Sequence, residues 1–386
     1  MPPTCPTSSP PRGGWSYRRD MTHAELRARY VEQIRLDGAS MTAELAEAFA
    51  AVPREAFVAD GFQRRDGTWV KPGDADFLPT VYSDDVLVTK VDGRVPVSSS
   101  SQPSLMAIML AALELRPGMR VLEIGAGTGY NAALMATLGA RVTSVDVQAD
   151  VAERARAAVQ KTEITGVRVV LGDGYAGAPG ERFDRVIVTV GVAGVSPHWL
   201  DQLDANGWAV VPIEHAGTHP VLAVRGRAPG PVTAAVVCPS GFMSAAGPLT
   251  ADHPFAHPDP AAAGTLADFV QSTGGRWATP LDSTTYRDLW YAAGIWCRRA
   301  THGALPGFEQ SVLVLLDEHR DGGAAILPDG AILAGGPEAD RYARAAVDVI
   351  ERWEAAGRPP MQAWQVTLTL TGRPDAPIWV PAHWQL

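Results

Sequence analysis

Apolar residues at Leu26, Tyr30 and Ile34 share one helical face, and Thr22-His23-Ala24-Glu25 just before them has capping-box spacing, so a helix begins near Thr22. A second helical period runs from Ala43 to Val52 and stops at Pro53, whose ring disfavours helix in the residue before it. From Asp60 to Asp84 the chain is polar and contains glycine, which predicts a long loop. Between Arg120 and Cys238 short apolar runs alternate with longer helical periods, the pattern of an α/β sheet covered on both faces. The runs are Arg120–Ile124, Arg141–Val145, Val167–Leu171, Arg185–Val190, Trp208–Ile213, Pro220–Val224 and Val232–Val237. Only a turn separates the last two, so they form an antiparallel hairpin.

Beyond Pro239 the texture changes to Gly, Ala, Pro and Trp, with a Pro/His-rich stretch from His253 to Pro260 before periodic structure resumes near Thr265. Trp277, Trp290, Trp296, Trp353 and Trp364, an apolar run Val312–Leu316, a helix Ala339–Ala356 and a strand Trp364–Leu370 predict an α+β extension with a small core of its own. A chain of 386 residues exceeds one typical domain. The expected partition is a flexible N-terminal arm over 1–20, an α/β domain over 21–239 and the extension over 240–386.

Charge and cysteine content narrow the function. A net charge of -9 leaves no basic surface to pair with phosphates, so nucleic acid is not expected as a partner. Cys5, Cys238 and Cys297 are too scattered for a disulfide framework or a zinc pair, which suggests a reducing, cytoplasmic setting. The sequence has neither a membrane-spanning apolar run nor the apolar stretch of a secretory signal.

Val121-Leu122-Glu123-Ile124-Gly125-Ala126-Gly127-Thr128-Gly129-Tyr130 reads as a strand entering a glycine turn and then a helix near Asn131, a place where backbone amides approach a nucleotide-like cofactor. A dinucleotide loop needs G-x-G-x-x-G. Here the third glycine is Gly129, and Tyr130 stands where the last glycine would be, which argues against NAD. Asp146 ends the next apolar run, where a carboxylate can accept from both ribose hydroxyls. Asp173, within Gly172-Asp173-Gly174, ends the third run on the same edge and could accept from an adenine amine. The candidate cofactor-binding residues are Glu123, Gly125, Gly127, Gly129, Tyr130, Asn131, Asp146, Val147, Gly172, Asp173, Gly174 and Thr189. His215 and His219 lie on a predicted hairpin rather than on one helical face, and no metal is expected.

From about Tyr30 to Pro239 the chain resembles the protein-L-isoaspartate (D-aspartate) O-methyltransferases. Besides the glycine loop, the resemblance is carried by Ala51-Val52-Pro53-Arg54-Glu55-Ala56-Phe57-Val58, Tyr82-Ser83-Asp84, Ser101-Gln102-Pro103, Gly172-Asp173-Gly174, Phe183-Asp184 through Val188-Thr189, and Val211-Pro212-Ile213. It implies a seven-stranded, Rossmann-like class I methyltransferase sheet with the antiparallel hairpin at its edge. It also implies S-adenosylmethionine as cofactor, S-adenosylhomocysteine as product, and a peptide carboxylate as methyl acceptor. In the family a serine before the Gln-Pro pair is assigned the catalytic or substrate-binding role; here it is Ser101, preceded by Ser98, Ser99 and Ser100 instead of the usual Gln, Thr and Ile. The loop around Gln63–Phe77 and the stretch near Val91–Arg94 are also longer than the family pattern.

A peptide carboxylate with a pKa near ~4 is ionised at neutral pH and needs no general base. What the enzyme supplies is alignment, and hydroxyls at Ser101, Ser100 and Ser99 suit that task without neutralising the nucleophile. The methyl ester so formed is open to attack by the following backbone nitrogen, which expels methanol and closes a succinimide. Two substrates fit this chemistry: an ordinary aspartate in a ribosomally made, macrocyclic precursor peptide of the lanthipeptide or graspetide kind, or isoaspartyl damage in general protein repair. The length of the extension favours the first, with the extension shaping acceptor choice and leaving the cofactor site alone. A non-catalytic binding module would not need Gly125, Gly127, Gly129 and Asp146 intact.

Overall fold

The computed structural model describes residues 22–251, 255–256, 268–308 and 310–386. The N-terminal arm, most of the Pro/His-rich stretch and the start near Thr265 lie outside the described residues.

Helix α1 (His23–Leu36) opens with the predicted capping box: Glu25 N donates to Thr22 Oγ1 at 3.3 Å and Thr22 N donates to Glu25 Oε2 at 2.8 Å. Helix α2 (Ala43–Ala51) stops before Pro53. The expected loop over Asp60–Asp84 instead holds strands β1 (Phe62–Gln63) and β2 (Trp69–Val70) and helix α3 (Phe77–Val81). These elements are too short to show a period, and burial of Phe62, Val70, Phe77 and Val81 anchors them. Strands β3 (Leu87–Asp92) and β4 (Val95–Ser100) form an antiparallel hairpin, and the four strands make a sheet in the order β2-β1-β3-β4.

The α/β layer follows: α4 (Pro103–Ala112), β5 (Arg120–Ile124), α5 (Tyr130–Thr137), β6 (Arg141–Asp146), α6 (Ala149–Lys161), β7 (Val167–Leu171), β8 (Phe183–Val188), α7 (Pro197–Gln202) and β9 (Leu203–Pro212). Strands β10 (Val221–Arg225) and β11 (Val232–Cys238) are the predicted antiparallel hairpin. Alternate residues feed opposite faces. Val121, Ile187 and Val210 join the core under α1, α2, α4 and α5, whereas Leu122, Val186, Val188 and Val211 join the one around Trp199.

The C-terminal region builds a second, antiparallel sheet from β12 (Val270–Thr273), β13 (Ala300–Gly303), β14 (Val312–Leu316), β15 (Gly323–Ile326) and β16 (Ile332–Gly335), in the order β12-β16-β15-β14-β13. Helices Ser283–Trp296 and Ala339–Ala355 pack on it through Leu289, Trp290, Ile350 and the fully buried Trp353. The chain then leaves this unit. Strand β17 (Gln365–Arg373) pairs with β11, and β18 (Ala376–Gln385) pairs with β17, both antiparallel. Among the described residues the main sheet therefore has nine strands in the order β18-β17-β11-β10-β9-β8-β5-β6-β7, not seven, and the β10–β11 hairpin is interior. The predicted strand Trp364–Leu370 is present, but its partner is far back in the sequence, a pairing that apolar alternation does not specify.

Candidate active site

The parallel strands β5, β6, β7 and β8 end side by side, which sets their following loops along one edge. Gly125, Gly127 and Gly129 take φ of +95°, +51° and +85°, a region that side chains other than glycine's strain to reach. Space is restricted as well: a Cβ on Gly125 would lie 2.7 Å from Thr189 Oγ1, and one on Gly127 would lie 3.2 Å from the Ser99 carbonyl. Thr189 Oγ1 donates to the Gly125 carbonyl at 2.6 Å and so ties the loop after β8 to the glycine turn.

Asp146 closes β6, and each of its oxygens takes one amide: Oδ2 from Gly127 N and Oδ1 from Gln148 N, both at 3.0 Å. Burial pushes its pKa up while those amides pull it back. Each oxygen keeps further lone-pair capacity for a ligand hydroxyl. The neighbouring Val147 is 59% exposed, and a Cβ on Gly174 would lie 2.8 Å from Ile124 Cγ2, so the turn after β7 abuts the end of β5. Gly172 N donates to the Asp146 carbonyl, and Asp173, exposed, accepts from Tyr175 N at 2.9 Å.

Three other candidates have side chains directed into the protein. Glu123 is fully buried; it accepts from Asn131 Nδ2 at 2.7 Å and from the Ser144 hydroxyl, and burial raises its pKa to about 7. Asn131 Oδ1 is buried with no partner. The Tyr130 ring lies against Phe57 and its hydroxyl is 3.3 Å from that of Tyr30. These side chains shore up the glycine turn from the interior.

The serine segment is a strand end rather than a turn. The buried Arg54 holds it: Nε donates to Ser100 Oγ at 3.2 Å, and Nη2 donates to the Ser101 carbonyl at 3.0 Å and the Asp85 carbonyl at 2.9 Å. Arg54 Nη1 donates to the Val81 and Ser83 carbonyls. Asp84 in turn accepts from Ser104 N at 2.7 Å, capping α4 from another part of the chain, and from Gln102 Nε2 at 2.8 Å. Ser100 is thus buried and engaged, while Ser99 and Ser101 are part-exposed and the Ser101 hydroxyl has no hydrogen-bond partner among the described residues. Gln148 ties the hairpin to the end of β6, with Nε2 donating to the Val97 carbonyl at 2.8 Å and Oε1 accepting from Lys90 Nζ at 2.8 Å. Neither Arg54 nor Gln148 is among the residues the sequence points to: Arg54 stands inside Pro53-Arg54-Glu55, far from the serines it holds, and Gln148 carries no local signal.

His215 and His219 do other work. The His215 ring lies tilted against Tyr291, with ring centroids 4.4 Å apart, and Trp290 Nε1 donates to the Ala216 carbonyl, so this turn docks onto the C-terminal unit. Among the described residues no group of three or more His, Cys, Asp or Glu could hold a metal ion, and no helix is long and apolar enough to cross a membrane.

Residues 25–246 match the family model of protein-L-isoaspartate(D-aspartate) O-methyltransferase. The chain belongs to this family. A protein-L-isoaspartate O-methyltransferase of Thermotoga maritima is 42% identical over 173 residues, 44% of this chain and 50% of that protein, so the match spans half of that relative's length. The Gloeobacter violaceus protein of the same name is 34% identical over 58% of this chain and 98% of its own. A solved protein-L-isoaspartate O-methyltransferase superposes with a TM-score of 0.52 and 26% identity, covering 92% of this chain and 100% of its own. The family's cofactor is S-adenosylmethionine, and the residues fit it: the glycine turn follows a parallel strand at the same edge as Asp146, whose carboxylate retains acceptor capacity.

Proposed function

We propose that this chain methylates the free carboxylate of L-isoaspartyl residues in peptides and proteins. The observation that carries the reading is the close approach of the Ser99 carbonyl to Gly127, 3.2 Å from where a Cβ would stand, which sets the serine segment beside the glycine turn. Gly125, Gly127, Asp146, Val147 and the turn Gly172–Gly174 would hold S-adenosylmethionine, which supplies an electrophilic methyl group when bound. Ser101 then offers a hydroxyl to one acceptor oxygen and leaves the other free to attack. Arg54 does not touch the acceptor in this reading; it fixes the backbone that carries Ser101. Because the acceptor is already anionic, no proton has to be removed and no base is required.

The expectation of a dedicated peptide-tailoring enzyme rested on the length of the C-terminal region. That ground is lost, because a solved protein-L-isoaspartate O-methyltransferase covers 92% of this chain. General repair is therefore the favoured reading, and a cytoplasmic location goes with it. The test is methylation of an isoaspartyl peptide alongside a macrocyclic peptide of ordinary aspartate, with S-adenosylmethionine carrying a labelled methyl. The isoaspartyl peptide should be methylated with the higher kcat/KM. Preference for the macrocycle would overturn the assignment.

A further inference from the structure

The family match ends at residue 246, yet the last hairpin of the chain reaches the cofactor end of the sheet. Val195, in the loop after β8, exchanges two backbone hydrogen bonds with Trp379 of β18, each 2.8 Å long. Tyr175, two residues beyond Asp173, donates its hydroxyl to the Pro377 carbonyl at 2.8 Å. The approach is close: a Cβ on Gly194 would stand 2.5 Å from the Trp379 carbonyl oxygen. Val366, Leu368 and Ile378 of the hairpin are buried in the same apolar cluster as Tyr175, Val192, Val195 and Trp199.

We propose that Trp379 and Pro377, through their backbone, position the loops Gly172–Tyr175 and Thr189–Ser196, so that the C-terminal hairpin sets cofactor affinity. This rests on the reading of that edge as the S-adenosylmethionine site. The two loops start at Gly172 and Thr189, whose contacts reach Asp146 and Gly125, and β18 holds their far ends. Loop ends tied by buried hydrogen bonds lose little further freedom when a ligand binds; untied, the same loops would have to be ordered at the expense of affinity. The hairpin is held in turn by β11, where Val232 pairs with Leu368 and Ala234 with Val366. It thus acts on the cofactor side of the reaction, contrary to the expectation that the extension leaves that side alone.

The test uses the full chain with Gly194→Ala, which drives a methyl group into the Trp379 carbonyl, and Tyr175→Phe, which removes the bond to Pro377 without adding bulk. Gly274→Ala is the control, since a Cβ there meets nothing within 4 Å. Hydrogen exchange at the Val195 and Trp379 amides reports the bridge, calorimetry the Kd of S-adenosylhomocysteine, and steady-state rates the KM of an isoaspartyl peptide. Gly194→Ala should speed exchange at both amides and raise the Kd about tenfold or more, with peptide KM at saturating cofactor within about twofold of wild type. Tyr175→Phe should raise the Kd about threefold. A merely structural role would lower the amount of active protein and leave the Kd where it was. The proposal is overturned if the bridge opens in Gly194→Ala and the Kd stays within twofold, or if the bridge does not open at all. Failure of the underlying site reading would look different, since wild type itself would then not bind S-adenosylhomocysteine.

Discussion

The Arg54 guanidinium donates to the Ser101 carbonyl at 3.0 Å from a position where its own side chain is fully buried. Its remaining partners are the Val81, Ser83, Asp85 and Ser100 carbonyls and the Ser100 hydroxyl, so neutral oxygens from two stretches of chain carry the hydrogen bonding of a buried cation.

Arg54→Ala should therefore destabilise the fold by about 3–5 kcal/mol, because it strands several buried carbonyls at once. Arg54→Lys should lose less, keeping the charge but not the planar fork. Urea denaturation of the two variants beside wild type measures the difference. Equal stability of all three would show that water can replace the guanidinium.

Ser100→Ala and Ser101→Ala should fail in different ways. Ser100 accepts from Arg54, so its loss should appear as a drop in Tm with kcat/KM little changed in the folded fraction. Loss of the Ser101 hydroxyl should cost about 1.5–3 kcal/mol of methyl transfer, roughly a ten- to hundredfold fall in kcat/KM, with cofactor Kd unchanged. Initial rates with an isoaspartyl peptide, together with thermal melts, separate the two.

Asp146→Ala should weaken binding of S-adenosylhomocysteine and also loosen the glycine turn, since it removes the acceptor of Gly127 N. Calorimetry should show at least a tenfold rise in Kd. An unchanged Kd would place the ribose elsewhere.

Glu123 carries a pH signature. Its pKa stands near 7 in the folded state, above the ordinary carboxylate range, so between about pH 4.5 and 7 the folded chain binds more protons at this site than the unfolded chain. The contribution of this group to stability is complete below that window and is lost as pH rises through 7, on the order of 3 kcal/mol. Glu123→Gln keeps the shape and an acceptor for Asn131 and cannot ionise. The difference in unfolding free energy between wild type and Glu123→Gln should thus shift in favour of the variant from pH 5 to pH 8. A difference that is flat with pH would mean that Glu123 is ionised throughout.

The strand, glycine turn and strand-end acid at one edge of the sheet were legible in the sequence because their determinants are local. A strand, a glycine turn that needs positive φ, and an acid at the next strand end lie within a short stretch, and apolar runs mark strands buried on both faces. Placement of the serines before Gln102-Pro103 was likewise readable, but their division of labour was not. Ser100 and Ser101 differ because Arg54, far back in the chain, takes the hydroxyl of the first and only the carbonyl of the second. The destination of the last hairpin was equally hidden: β17 pairs with β11 through backbone groups that every residue type carries, so apolar alternation revealed a strand at Trp364–Leu370 but not which sheet it joins. Periodicity along a chain records which residues are buried. Which distant backbone meets which is decided by register, by close approaches such as Gly194 to Trp379, and by buried donors that must find acceptors, and these exist only once the chain has folded.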